Sequence, residues 1–412
     1  MFEKMVYDTL FPLLRPILMS QQHGFVNKRS TESNLCEFMD KVLRALERGC
    51  QVDVVYTDYS KAFDKISHSL IINKLESIGV HGDLLRWLES YLRNRTQAVA
   101  VKGYTSSFVP ITSGVPQGSH IGPLLFNVYI NDVIKYIHNS DTLLYADDTK
   151  IFKIIESSSD CVLLQDDLVN LSEYCTRNNL YLNIDKCCVI TFSRKKKIIS
   201  YNYNIHDKPL KRVTEVRDLG VQLDSKLLFD KHVEKITDKA YKMLGFIFRQ
   251  GSEFTHEKTL VLLYNSLVRS QLEYASTIWN PQYEIYNNAI ESIQYKFIKR
   301  LTYKFGSLKS RIVSLEKRRA HRDQIFLFKI INNIVDSPYL LSNIFFNCPR
   351  SGARYKPTFY TPCCRTNYCK NRFIARTCYN HNEVYNHIDI FSNYQAFIKS
   401  IKTVTDSLSN IS

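Results

Sequence analysis

Two apolar β-type runs in this chain end in acidic residues, and this pairing restricts the fold more than any other feature. Thr142-Leu143-Leu144-Tyr145-Ala146 runs into Asp147-Asp148 and leaves through Thr149-Lys150-Ile151-Phe152, the pattern of a strand, a tight turn and a second strand. Gln51 to Thr57, with Val52, Val54, Val55 and Tyr56, is an equally apolar run that stops at Asp58. Adjacent carboxylates repel one another, and their ionisation is costly unless a cation lies between them. A solvated Asp-rich turn explains Asp147-Asp148 as well when that pair is taken alone.

Asp58 shifts the balance, because two neighbouring strands that both end in carboxylates can share metal ions. Mg²⁺, with Mn²⁺ as the alternative, prefers oxygen ligands and usually needs only one or two carboxylates plus substrate phosphates. Two such ions about 3.5–4 Å apart activate an attacking 3′-hydroxyl and stabilise a leaving pyrophosphate. Phe63 lies five residues beyond Asp58, where a ring can close on a nucleotide sugar and exclude a 2′-hydroxyl; core packing is its competing role. Ser113-Gly114-Val115-Pro116-Gln117-Gly118 reads as a turn before a helix. There the backbone can approach a nucleotide or template, and Gln117 can both donate and accept hydrogen bonds. A plain helix-entry turn fits the same residues.

The pattern around these runs predicts α+β organisation. Helices are expected over Phe2 to Met19, from Ser30-Thr31 to Leu46, and over Leu70 to Ile78, Leu84 to Leu92, Pro123 to His138 and Leu163 to Cys175. Strands are expected at Gln97 to Val101, Ser107 to Ile111, Cys188 to Phe192, Tyr201 to Ile205 and Val213 to Leu223. Beyond Asp224 long helical patterns dominate, including Lys231 to Phe248, Leu260 to Val268 and Ala289 to Leu301.

A formal net charge of +15 draws polyanions, either nucleic acid or an anionic membrane surface. No apolar run approaches the roughly 18 residues of a membrane span, and Glu3, Lys4, Asp8 and Arg15 interrupt the first apolar stretch. The expectation is therefore an intracellular protein, nuclear or cytoplasmic, neither secreted nor membrane-bound. Eleven cysteines, an odd number, fit reduced thiols better than a disulfide framework. Cys363, Cys364, Cys369 and Cys378 lack the paired C-x-x-C spacing of a zinc site.

Asp58-Tyr59-Ser60-Lys61-Ala62-Phe63-Asp64, Gly114-Val115-Pro116-Gln117-Gly118-Ser119 and Tyr145-Ala146-Asp147-Asp148 resemble motifs A, B and C of reverse transcriptases, in that order. Flanking residues are similar to non-LTR retrotransposons of the Jockey type: Gln22-His23-Gly24-Phe25, Arg29-Ser30-Thr31, Gly122-Pro123-Leu124-Leu125-Phe126 and Ile130-Asn131-Asp132. Asn179-Leu180-Tyr181-Leu182-Asn183 with Lys186-Cys187 resembles motif D, and Leu219 to Asp224 the motif E region. Val268 to Ala275, Trp279-Asn280-Pro281 and Arg365 to Tyr368 are similar to the helical region that follows.

The resemblance implies a right-hand polymerase: residues 1–224 as palm and partial fingers, and residues 225–412 as a helical thumb and C-terminal region. It implies RNA-directed DNA synthesis from an RNA template, a DNA primer and deoxynucleoside triphosphates, with protein partners unspecified. Asp58, Asp147 and Asp148 become metal ligands together with the Tyr59 carbonyl. Lys186 becomes a proton donor to pyrophosphate, for which a plain surface lysine is the alternative. Phe63 becomes the sugar-discriminating ring, and Gln117, Gly118 and Ser60 become nucleotide or template contacts. Set against the family, Met1 is expected to fall after the first conserved fingers segment, with no endonuclease domain before it. The alternative expectation is thus an N-terminally truncated remnant that binds primed RNA but extends it weakly or not at all. A splicing maturase or telomerase-like relative shares the acidic motifs, but the segments after Asp224 oppose it.

Overall fold

The structure is a computed structural model that describes residues 2–310, 312–348, 357–361 and 363–408. It divides into two compact units, one of Met1–Ser30 with Cys50–Thr214 and the other of Thr31–Gly49 with Glu215–Ser412. This division is discontinuous along the chain, whereas the change of pattern suggests a single break at Asp224.

The first unit is built on a five-stranded sheet in the order Lys211–Val213, Cys188–Phe192, Gln51–Thr57, Asp148–Ile155, Asp141–Tyr145. All neighbours are antiparallel except the edge strand Lys211–Val213, which runs parallel to Cys188–Phe192. The central strand Gln51–Thr57 is buried over its first five residues. Such burial on both faces suits its β-branched Val52, Val54 and Val55. Val55, Leu144, Ile151, Ile155 and Val189 share one core with Ile71 and Leu75 of helix His68–Ser77, Leu125 and Tyr129 of helix Gly122–Ile130, and Leu164 and Leu168 of helix Ser158–Arg177. Ser157 and Asp160 start that last helix with a reciprocal capping box.

Several expected elements come out differently. The strand expected at Gln97 to Val101 is split between Arg95–Gln97 and Ala100–Val101, which lie in separate two-stranded sheets, and that at Tyr201 to Ile205 is reduced to Asn204–Ile205. The first helix ends at Leu14 rather than Met19, because Pro16 disfavours a helical Arg15. Helix Gly122–Ile130 gives way to a 3-10 turn over Asn131–Tyr136. There Asn131 binds the Met19 amide and the Ile17 carbonyl, while Asp132 accepts from Lys74 at 2.6 Å. The expected strand Val213 to Leu223 is a hairpin of Glu215–Asp218 with Val221–Asp224 in the second unit. Positive φ at both Leu219 and Gly220 makes its two-residue turn.

The remainder of the second unit is helical, with long helices Asp230–Gln250, Glu284–Phe305 and Leu315–Ile331. Glu257–Tyr264 passes into a π turn at Asn265–Arg269. Tyr264 stacks on Phe297 at 4.1 Å, and the buried pair Asp323 and Arg376 meets at 2.9 Å. No helix among the described residues is long and apolar enough to cross a membrane.

Asp53 in the middle of the central strand is fully buried and fully partnered. Its carboxylate accepts from Gln51 at 2.9 Å, Thr191 at 2.8 Å and Tyr203 at 2.8 Å, with Arg212 at 3.9 Å. Burial and the Asp53 charge push the Tyr203 phenol well above its ordinary range, which keeps it a donor. Removing the carboxylate leaves several buried donors without acceptors, so Asp53→Ala should cost about 2–3 kcal/mol in urea unfolding. A loss within error of wild type would show that the network does not support the sheet.

Candidate active site

The hairpin turn is the sharpest local feature of the first unit. Tyr145 pairs directly with Asp148, so Ala146 and Asp147 form a two-residue turn. Ala146 has φ +56 and is buried, Asp147 is half-buried and Asp148 is exposed. The central strand pairs with the outgoing arm in a register that matches Thr57 with Thr149. Asp58 follows Thr57 immediately and so emerges beside the turn.

The electrostatics match this placement. Burial, and then the charge of Asp58, raise the Asp147 carboxyl above the usual carboxylate range. The Lys186 ammonium lies 3.4 Å from Asp58 Oδ2. Lys186 is held at the Asn183 turn by its own amide, while the Asn183 amide donates to the Asp58 carbonyl at 2.7 Å. The Ser60 amide donates to the Tyr181 carbonyl at 2.7 Å. These bonds use the groups on either side of Tyr59 and leave the Tyr59 carbonyl out of that pairing. The structure thus brings together Asp58, Asp147 and Lys186, with Tyr59 and Ser60 adjoining. Asp58, Asp147 and Asp148 do not form a closed trio of ligand atoms all within 4.8 Å. Among the described residues that tight a group occurs at Glu47, Cys364 and Cys369.

Cys369 donates its thiol to Glu47 at 2.7 Å, and burial raises it far above the ordinary thiol range. Among the described residues no two cysteines are joined in a disulfide.

The segment after Asp58 is tied to the turn before helix Gly122–Ile130. The Gly114 amide donates to the Ile66 carbonyl at 2.8 Å, the Val115 amide to the Phe63 carbonyl at 2.9 Å, and Ser113 Oγ to the Asp64 carbonyl at 2.8 Å. Gly114, at φ +87, leaves no room for a Cβ, which would lie 2.7 Å from the Asp64 carbonyl oxygen. Gln117 is exposed, and its amide donates to Asp64 Oδ1 at 2.9 Å. Gly118 follows at φ +81. A cleft of about 700 Å³ is lined here by Lys61, Asp64, Arg95, Gln97, Gly114 and Gln117, a size that suits a nucleotide. Phe63 is half-buried, stacked on Phe126 at 4.3 Å and edge-on to Phe25 at 6.0 Å.

Sequence reasoning assigned no role to Asp64, whose carboxylate orients the Gln117 amide, or to Gln22 and Gly24, which lie against the turn. Gln22 accepts from the Ala146 amide at 2.8 Å, and a Cβ on Gly24 would lie 2.1 Å from the Ala146 nitrogen. A glycine two residues after a glutamine was the available signal, but long-range packing of this kind leaves no periodicity to read.

The family model described as reverse transcriptase (RNA-dependent DNA polymerase) matches residues 1–248. The RNA-directed DNA polymerase from mobile element jockey of Drosophila melanogaster is 27% identical, over 68% of this chain and 32% of its own length. The probable RNA-directed DNA polymerase from transposon X-element of the same species is 24% identical, over 73% of this chain and 34% of its own. The chain therefore spans about a third of the length of these relatives. Among solved structures, apo telomerase from Candida tropicalis aligns with 97% of this chain and 60% of its own at 11% identity and a TM-score of 0.43. With more than half of its residues matched by that one family model, the chain belongs to the reverse transcriptase family.

Proposed function

We propose that this chain is the polymerase part of a non-LTR retrotransposon and copies RNA into DNA by extending a primer 3′-hydroxyl with deoxynucleoside triphosphates. The observation that carries this reading is the meeting of Asp58 and Asp147 at the ends of paired strands, in a chain of the reverse transcriptase family.

The residues present fit a divalent cation. The turn holds an all-oxygen donor set, and the Asp147 carboxyl is pushed up by burial and by a facing carboxylate, a cost that a bound cation relieves. Asp58, Asp147 and Asp148 would hold Mg²⁺ or Mn²⁺, with the Tyr59 carbonyl as a further oxygen. Bound as a pair, the ions supply positive charge to a 3′-oxygen and to the departing pyrophosphate.

The protein's own groups do the rest. Lys186, beside Asp58, stands ready to give a proton to the leaving pyrophosphate oxygen. Phe63, backed by Phe126, forms a stiff wall at the sugar and disfavours a 2′-hydroxyl. Gln117, aimed by Asp64, and Gly118 contact the nucleotide and template above the cleft, with Ser60 adjoining. The excess of basic residues supplies phosphate contacts for the template and primer.

Purified protein offered a primed homopolymer RNA with Mg²⁺ or Mn²⁺ and labelled deoxynucleotide should extend the primer, and Asp147→Asn should abolish the extension. Metal-dependent extension that survives this change would sink the assignment. The same variant has an opposite effect on stability. An Asp whose folded-state carboxyl titrates above its unfolded value, about 3.9, carries a cost that is absent at lower pH and complete once pH exceeds the folded value. At neutral pH in chelator, Asp147→Asn should therefore raise Tm by roughly 1–3 °C, and the gain should vanish as pH falls through the folded and then the unfolded value. A variant less stable than wild type at neutral pH would contradict the like-charge account.

Phe63→Ala should raise the use of ribonucleotides relative to deoxynucleotides by roughly tenfold or more. Unchanged discrimination in steady-state incorporation would make Phe63 a packing residue only.

A further inference from the structure

Residues 21–24 lie along the free edge of strand Asp141–Tyr145. The Leu144 amide donates to the Gln21 carbonyl and the His23 amide to the Leu144 carbonyl, both at 2.9 Å, which makes a short parallel bridge at Gln22 and Leu144. This bridge carries the Gln22 side chain, 1% exposed, to the tip of the acidic hairpin. Its Oε1 accepts from the Ala146 amide and the Gly24 amide, each at 2.8 Å, and its Nε2 donates to the Ala146 carbonyl at 3.1 Å. Both backbone groups of one turn residue are thus held by one side-chain amide.

The demand for such a grip arises in the turn itself. A two-residue hairpin turn needs positive φ, which glycine or asparagine ordinarily supplies. Here alanine holds φ +56 with its Cβ crowded, and its own N–H and C=O lie outside the strand ladder. A primary amide offers one donor and one acceptor, as a neighbouring strand's peptide group would. Glutamate keeps only the acceptor, and methionine keeps neither. The approach is close: Gly24 admits no Cβ against Ala146, and Asn127 Nδ2 binds the Gly24 carbonyl at 2.9 Å to keep it there.

We propose that Gln22 is a positioning residue for metal binding: its amide fixes Ala146 in the left-handed conformation and so aims the next residue, Asp147, at Asp58. This rests on the polymerase reading above, and Gln22 itself touches neither metal nor nucleotide.

The test measures Mn²⁺ affinity of the whole chain by electron paramagnetic resonance, with thermal unfolding alongside. Gln22→Met should weaken Mn²⁺ binding by roughly tenfold, the usual scale for an outer group that orients a ligand. Arg29→Ala loosens the same segment by removing the bond to the Gln22 carbonyl; it should lower Tm but leave Mn²⁺ affinity unchanged. Gln22→Glu guards against a Met variant that fails to fold, because it retains both accepted bonds. Simple attraction predicts that its added negative charge tightens Mn²⁺ binding, whereas loss of the bond to the Ala146 carbonyl predicts weaker binding, by roughly threefold. Equal or tighter binding by Gln22→Glu would overturn the inference while leaving the polymerase reading intact. A wild-type chain that binds no Mn²⁺ at Asp147 would overturn both.

Discussion

The register of one strand governs the candidate site. Gln51–Thr57 pairs on one side with Asp148–Ile155 and on the other with Cys188–Phe192, and each pairing fixes one approach to Asp58. The first places Asp58 beside the acidic turn. The second anchors the Asn183 turn just before Cys188, where the Asn183 amide donates to the Asp58 carbonyl and Lys186 lies at the Asp58 carboxylate. A slip of one residue in either ladder would turn every side chain of the strand to the opposite face and shift Asp58 away from the acidic turn. Asp53, with its full set of buried donors on Gln51, Thr191 and Tyr203, resists such a slip because no other position could satisfy them.

The sequence disclosed the parts of this arrangement that depend on local pattern. Runs rich in β-branched residues mark Gln51–Thr57, in spite of Asp53, and Cys188–Phe192, and an acidic break between two apolar runs marks the hairpin. Elements whose limits depend on distant partners were less legible. The helix from Gly122 changes at Asn131 because that side chain is drawn to the loop at Ile17 and Met19, a contact no window of neighbouring residues contains. The Leu219-Gly220 turn interrupts a stretch in which Val213, Val216, Val221 and Leu223 read as one strand, although its glycine was a visible signal of a bend.

The site shows the same division. Asp58, Asp147 and Asp148 were singled out from charge and position at the ends of apolar runs, and the strand pairing sets Asp58 beside the turn that carries Asp147 and Asp148. The roles given to Lys186, Phe63 and Gln117 came from resemblance. The structure adds a physical setting for each: an ion pair with Asp58, a stack on Phe126 and an amide bond to Asp64. The flanking motif residues also gain structural explanations. Asp132 takes a half-buried Lys74 whose ammonium is disfavoured by desolvation, and His68 holds the Gly114 carbonyl at 2.8 Å. They hold in place the loops around the candidate site.

The order of pairing in the sheet also bears on how the site comes into being. Gln51 finds its partner at Ile155 and Val52 a second one at Phe192, so the central strand must wait for both distant segments before its backbone is satisfied. Contacts between such remote residues incur a large loop-closure entropy and form slowly. During synthesis Asp58 can meet the acidic turn once the chain has passed Ile155, whereas the Asn183 turn and Lys186 are secured only after it has passed Phe192. A nascent chain that ends between these two points carries the paired acidic turn without the second ladder that closes the sheet around Asp58.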